Sequence, residues 1–171
     1  SMDNTGPGGA GGGSTGGGGG TGGGTVGCLP AGTPLLLADG TTIPIEQAQV
    51  GMAVAAWDDI TLEPMDAIIT RTISYEDREL WRITLEDRVL VCSHDHRLWN
   101  GKDWVPAREL RAEDISLVPD YRGRLVGSCV EQAVSLGKTA RVYHLGMDRG
   151  HVFMAGGVPA HNAQMVKMAG N

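Results

Sequence analysis

No stretch of this chain is long and apolar enough to span a bilayer as a helix, and no signal-peptide pattern is visible. A membrane partner is therefore not expected. Basic residues are few, with 14 Lys and Arg against 20 Asp and Glu, and they form no stripe. A nucleic-acid groove is not expected either. The cysteines number only three, Cys28, Cys92 and Cys129. An odd count makes a poor disulfide framework and leaves at least one free thiol. Long amphipathic helical patterns and internal repeats are also missing.

What is present divides unevenly. Ser1-Met2 reads as the remnant of an expression tag. Residues 6–27 are mostly glycine with a few Thr and Ser, and they hold 15 of the 27 glycines. Such a segment has no apolar surface to bury and reads as a flexible linker. The expected organisation is a tag remnant plus disordered Gly-rich linker over 1–27, one globular domain over 28–162, and a flanking segment over 163–171. A net charge of −6 and 41% hydrophobic residues suit a soluble domain with a sizeable core. A monomer is expected.

The globular part reads as short strands. "TPLLLADGTTIPIE" is an apolar run, an Asp39-Gly40 hairpin signal and a strand with Ile43 and Ile45 alternating. "VGMAVAAWDD" is a strand ending in a polar turn. In "LWRITLEDRVLVCSHDHRLW", Trp81, Ile83 and Leu85 share one face and Arg82, Thr84 and Glu86 the other. Asp87-Arg88 is a turn and "VLVCSHDH" the returning strand. A short helical turn is expected over 107–110, then another strand. "ARVYHLGM" and "HVFMAGGVPAHN" supply one strand each. The class is all-β with short connections.

Four pieces carry chemistry. Cys28 follows Gly27, and a Cys there can attack the preceding carbonyl and turn the amide into a thioester. The amide nitrogen is a poor leaving group, so this step needs a proton donor and a hydrogen-bond partner holding the peptide. His96 suits the first task, because imidazole titrates near pH 6.5, and Ser93 the second. At the other end, the Asn162 side-chain amide can attack its own carbonyl and cut the Asn162–Ala163 bond. His161 and His151 are candidates to assist. A rival use of the same stretch is zinc binding, since Cys92, His94 and His96 alternate along the expected strand, although no convincing fourth ligand follows.

The combination resembles the Hint superfamily of inteins, bacterial intein-like domains and hedgehog autoprocessing domains. "CLPAGTPLLLADGTTIPIEQAQVGMAVAAWD" is similar to the amino-terminal intein block. "VLVCSHDHRLW" is similar to the Thr-x-x-His block, with Ser93 in place of the threonine. "RVYHLGMDRGHVFMAGGVPAHN" is similar to the two carboxy-terminal blocks ending in His-Asn. The resemblance implies a β-rich horseshoe of many short strands that brings Cys28 and Asn162 close together, with no room for a homing endonuclease. It implies an autocatalytic, single-turnover cleavage acting in cis on the flanking polypeptide, with no cofactor and no metal. The residues implied are Cys28, Ser93, His96, His144, His151, His161 and Asn162. His144 stands where the family often has Asp or Cys near the amino-terminal junction, and is expected to be a proton relay. Ordinary splicing needs Cys, Ser or Thr after the asparagine. Ala163 stands there, so cleavage at either end is expected, with ligation at most a minor route. The alternative is an inert Hint-like scaffold or interaction module. The sterol-dependent hedgehog route would not need Asn162.

Overall fold

A computed structural model describes residues 27–162. The linker expected before Gly27 and the segment 163–171 lie outside the described residues. Twelve strands form one connected sheet. They are β1 (Leu29–Pro30), β2 (Pro34–Leu36), β3 (Thr42–Pro44), β4 (Ala53–Trp57), β5 (Pro64–Leu85), β6 (Val89–Ser93), β7 (Arg97–Trp99), β8 (Trp104–Pro106), β9 (Ile115–Pro119), β10 (Leu125–Met147), β11 (Val152–Ala155) and β12 (Val158–His161). Among the described residues there is no α-helix. Two single 3₁₀ turns, Ile45–Gln47 and Ala107–Glu109, turn corners instead. Among the described residues no helix is long and apolar enough to cross a membrane.

The main path runs β9-β10-β5-β4-β11-β12-β7-β8, with β1 on β10, β2 on β11, β3 on β2 and β6 on β5. Its spine is the antiparallel ribbon of β5 and β10, paired from Val130↔Leu85 to Met147↔Ile69. Four register shifts interrupt it. At one of them Glu76 and Asp77 together oppose Arg141, between the pairs Tyr75↔Val142 and Arg78↔Ala140. This is a β-bulge, and Asp77 takes the extra turn with φ 54, a left-handed conformation that aspartate tolerates better than most residues. Arg78, the next residue, reaches Asp95.

The expected hairpin at Asp39-Gly40 is present: Leu36 pairs with Thr42, and Gly40 has φ +89. Ile83 and Leu85 enter the main core as their alternation predicts, with Trp81 packed against it. That core also holds Leu29, Leu35, Val54, Ile69, Leu98, Val130, Leu145 and Phe153. A smaller cluster of Cys28, Leu80 and Val142 lies under the ribbon.

Three expectations about strands are corrected. Instead of two short strands, β5 and β10 run 22 and 23 residues. "HVFMAGGVPAHN" is a hairpin rather than one strand. Gly156 and Gly157 sit at its tip with φ +71 and +78, which a two-residue turn between right-twisted strands requires. The strand through "VLVCS" ends at Ser93, so the alternation does not continue to His96.

Candidate functional site

Cys28 enters the fold one residue before β1. β1 pairs with β10 as Val142↔Pro30 and Tyr143↔Leu29, so one further step along the register brings His144 opposite Cys28. His144 Nδ1 lies 2.6 Å from the Gly27 carbonyl oxygen. On the other side of the same peptide bond, the Cys28 N–H donates to Ser93 Oγ at 2.9 Å. The Ser93 hydroxyl donates to Asp95 Oδ1 at 2.7 Å, and Asp95 Oδ2 accepts from Arg78 Nη1 at 3.0 Å. The Arg78 guanidinium lies over the Tyr75 ring at 4.3 Å. The Ser93 N–H returns a bond to the Cys28 carbonyl at 2.9 Å. Both faces of the Gly27–Cys28 peptide are therefore gripped.

His96 closes this site from the turn between β6 and β7. Its N–H donates to the Ser93 carbonyl at 3.1 Å, and its carbonyl accepts from Ala107 at 2.8 Å, so the 3₁₀ turn clasps it. A Cβ on residue 27 would stand 2.1 Å from the His96 Cα, which only glycine allows. The His96 ring is buried and neither nitrogen has a hydrogen-bond partner. The nearby Gly27 backbone favours its charged form. Burial first, then the neighbouring His144, lowers the pKa of His96 to about 4, against the pull of Asp95. Burial likewise lowers His144 to about 4, against its bond to Gly27. Both imidazoles are neutral at neutral pH. Burial raises the Cys28 thiol well above its ordinary value, and Asp95 adds to this while Arg78 opposes it. The thiol rests protonated.

At the other junction, β11 and β12 place His161 opposite Val152, and His161 also pairs with Arg97 on β7. The Asn162 N–H donates to the His151 carbonyl at 2.9 Å. The Asn162 side chain is buried, and neither its Nδ2 nor its Oδ1 has a partner. His161 Nε2 lies 2.8 Å and His151 Nδ1 3.1 Å from one oxygen, Asp59 Oδ2. Burial would raise the Asp59 pKa, but hydrogen bonds from His161 and His151 outweigh it and hold the carboxylate ionised. The His161 ring also packs on Trp104, with centroids 5.3 Å apart.

The junctions are connected through backbone. Gly27 lies against His96, Arg97 follows His96, and Arg97 pairs with His161, which precedes Asn162. Phe153 links them again: its ring meets His96 and His144 edge-on at 6.4 and 6.1 Å, and its strand pairs with β12. Ser93, His96 and His144 thus gather on Cys28, and His151 and His161 gather beside Asn162. Ser93 reaches the ring of neither histidine. Its hydroxyl holds the peptide nitrogen instead.

Asp59, Asp95, Arg78 and Phe153 were not singled out by sequence. Asp95 lies inside "VLVCSHDHRLW", two residues after Ser93, and that position is its signal in the sequence. Asp59 lies 102 residues from His161, and no local pattern marks it. The zinc reading of Cys92, His94 and His96 is corrected. With the strand ending at Ser93, Cys92 stays in the core, while His94 turns out to meet Arg108 at 3.1 Å. Among the described residues, Asp59, His151 and His161 form the one group of metal-ligating side chains compact enough to surround an ion. Its spacings are those of ordinary hydrogen bonds to a carboxylate, and we assign it no metal.

No protein-family model matches the chain, and no curated protein matches it. Solved structures do. A DnaB intein from Synechocystis superposes with a TM-score of 0.73 at 16% identity, covering 80% of this chain and 98% of its own. A bacterial intein-like domain from Clostridium thermocellum gives 0.67 at 28% identity, over 79% of this chain and 98% of its own. A DnaX mini intein from Spirulina platensis gives 0.67 at 22% identity, over 79% and 99%. The curled all-β sheet is thus the fold shared by these inteins and intein-like domains, the Hint fold.

Proposed function

We propose that the chain is a single-turnover self-processing domain that cuts its own polypeptide at Gly27–Cys28 and at Asn162–Ala163. The observation carrying this reading is the grip on one peptide bond: His144 on the Gly27 carbonyl and Ser93 on the Cys28 nitrogen.

At the first junction Cys28 Sγ attacks the Gly27 carbonyl carbon. His144, neutral and protonated on Nδ1, donates to the carbonyl oxygen as negative charge develops there. Neutral His96 accepts the thiol proton and delivers it to the Cys28 nitrogen as the C–N bond breaks, leaving a thioester and a free amine. Ser93, held by Asp95, keeps that nitrogen in place. At the second junction Asn162 Nδ2 attacks the Asn162 carbonyl carbon, forming a succinimide and releasing the Ala163 amine. His161 and His151 serve that proton transfer. The methyl group of Ala163 cannot take up the acyl group, so cleavage prevails over joining. The substrate is the flanking polypeptide in cis, and the chemistry needs no cofactor.

Intact mass against time, with and without dithiothreitol, tests the reading. Reductant should release residues 1–27, and residues 163–171 should be lost independently of it. Cys28→Ala should abolish the first event alone and Asn162→Ala the second alone. If both variants give the native fragment pattern, or the native chain yields no fragments over days across pH 5 to 9, the domain is an inert scaffold and the proposal fails.

A further inference from the structure

The carboxylate between the two carboxy-terminal histidines has a use beyond packing. We infer that Asp59 is a positioning residue that fixes His161 with its proton on Nε2, leaving Nδ1 bare as the base for Asn162. The inference rests on the cleavage reading for the identity of the reaction, and on geometry for the proton.

An ionised carboxylate can only accept hydrogen bonds. His161 Nε2 at 2.8 Å and His151 Nδ1 at 3.1 Å both face Asp59 Oδ2, so each of these nitrogens carries a hydrogen. Burial lowers the His161 pKa first. Asp59 opposes this, while His151 and Arg97 add to it. Neutral His161 with Nε2 protonated has a lone pair on Nδ1. That atom is buried without a partner, and so are Nδ2 and Oδ1 of the next residue, Asn162. Orphaned buried polar atoms are costly, and here the unmet acceptor and the unmet donor belong to consecutive residues. They complement each other in the step proposed. As the Nδ2–C bond forms, the proton on Asn162 Nδ2 passes to His161 Nδ1. As the C–N bond to Ala163 breaks, the same proton passes to the departing amine. Asp59 stabilises the imidazolium formed in between, as orienting carboxylates do for histidine. His151 is the lesser candidate for base, because its ring is 37% exposed and water can satisfy its free nitrogen.

Nitrogen-15 NMR of the full chain reads the tautomer without any turnover. The expected result is His161 protonated at Nε2, with Asp59→Ala giving a mixture of tautomers. In the same samples Asp59→Ala should slow loss of residues 163–171 about 100-fold, Asp59→Glu should recover most of that loss, and thiol-induced release of residues 1–27 should stay native. A native His161 protonated at Nδ1, or an Asp59→Ala chain that cuts at the native rate, overturns the inference. A native chain that shows the expected tautomer but never loses residues 163–171 overturns the cleavage reading and the base assignment with it.

Discussion

The two junctions hold histidines by opposite means. At Cys28 burial does the work: His96 and His144 are enclosed, neutral, and face a peptide bond rather than a charge. Their carboxylate, Asp95, is spent one step away on Ser93 and Arg78. At Asn162 a carboxylate touches both rings directly, and His151 stays partly open to water. The difference suits the chemistry proposed for each end. An amide under attack by sulfur needs a donor at its oxygen and a proton shuttle at its nitrogen, and neutral imidazoles in a dry site can be both. An asparagine attacking itself needs mainly a base held at one angle. Dryness would not fix that angle, whereas a hydrogen-bonded carboxylate does.

The sharpest way to break the comparison is at Gly27. A Cβ there would meet the His96 Cα at 2.1 Å and backbone atoms of His96 and Asp95 at 2.8 and 2.9 Å. Backbone cannot yield as a side-chain tip can. Gly27→Ala should displace the peptide from His144 and Ser93, and slow thiol-induced release of residues 1–27 at least about 1,000-fold. Loss of residues 163–171 should stay within about threefold of native. Mass spectrometry of both fragments from one sample checks this. Equal slowing at both ends would mean that the sites are not separate devices.

Acid should act next, and on the buried pair. The unfolded chain binds protons on these histidines near pH 6.5, whereas the folded chain does so only near pH 4. Protonation therefore favours the unfolded state. Stability is whole above pH 6.5, falls as pH drops from there to about 4, and levels below. One such histidine accounts for about 3 kcal/mol across that window. Urea midpoints between pH 7.5 and 4, measured on the doubly inactive Cys28→Ala, Asn162→Ala chain, should fall accordingly, and less steeply once His144→Gln is added. Exposed carboxylates with lowered pKa values, such as Asp39 and Asp58, cost stability only below about pH 3.8. A midpoint that stays flat from 6.5 to 4 would show that the pair is solvated.

The residues proposed to react are legible in the sequence and their supports are not, for physical reasons. Cys28 and Asn162 announce themselves because their chemistry depends on covalent neighbours, Gly27 and His161. The Asp39-Gly40 turn and the Trp81-Ile83-Leu85 face are local signals, and both appear in the fold. The ribbon of β5 and β10 was largely illegible. Over 70–79 no side chain is fully buried, so no apolar period marks the strand. Its bulge at Asp77 cannot be read without the partner strand. Asp59 and Arg78 act across long sequence separations. The alternation of Cys92, His94 and His96 was a true pattern of period two, but the strand stops at Ser93 and the pattern has no surface to line.

The smallest expected effect separates holding from filling at residue 93. Ser93 is fully buried, and its hydroxyl is both acceptor for the Cys28 N–H and donor to Asp95. Ser93→Ala leaves a buried amide and one carboxylate oxygen short of a partner, a loss of about 1–3 kcal/mol. Thiol-induced release of residues 1–27 should slow about 10- to 100-fold. Ser93→Thr keeps the hydroxyl and adds one methyl to a packed site, and the rate should stay within about tenfold of native. If threonine proved as slow as alanine, lack of room and not the lost bond would govern the site. If alanine proved as fast as serine, the Cys28 nitrogen would need no holding, and the contrast between a gripped peptide bond and a carboxylate-aimed base would collapse to the single device at Asn162.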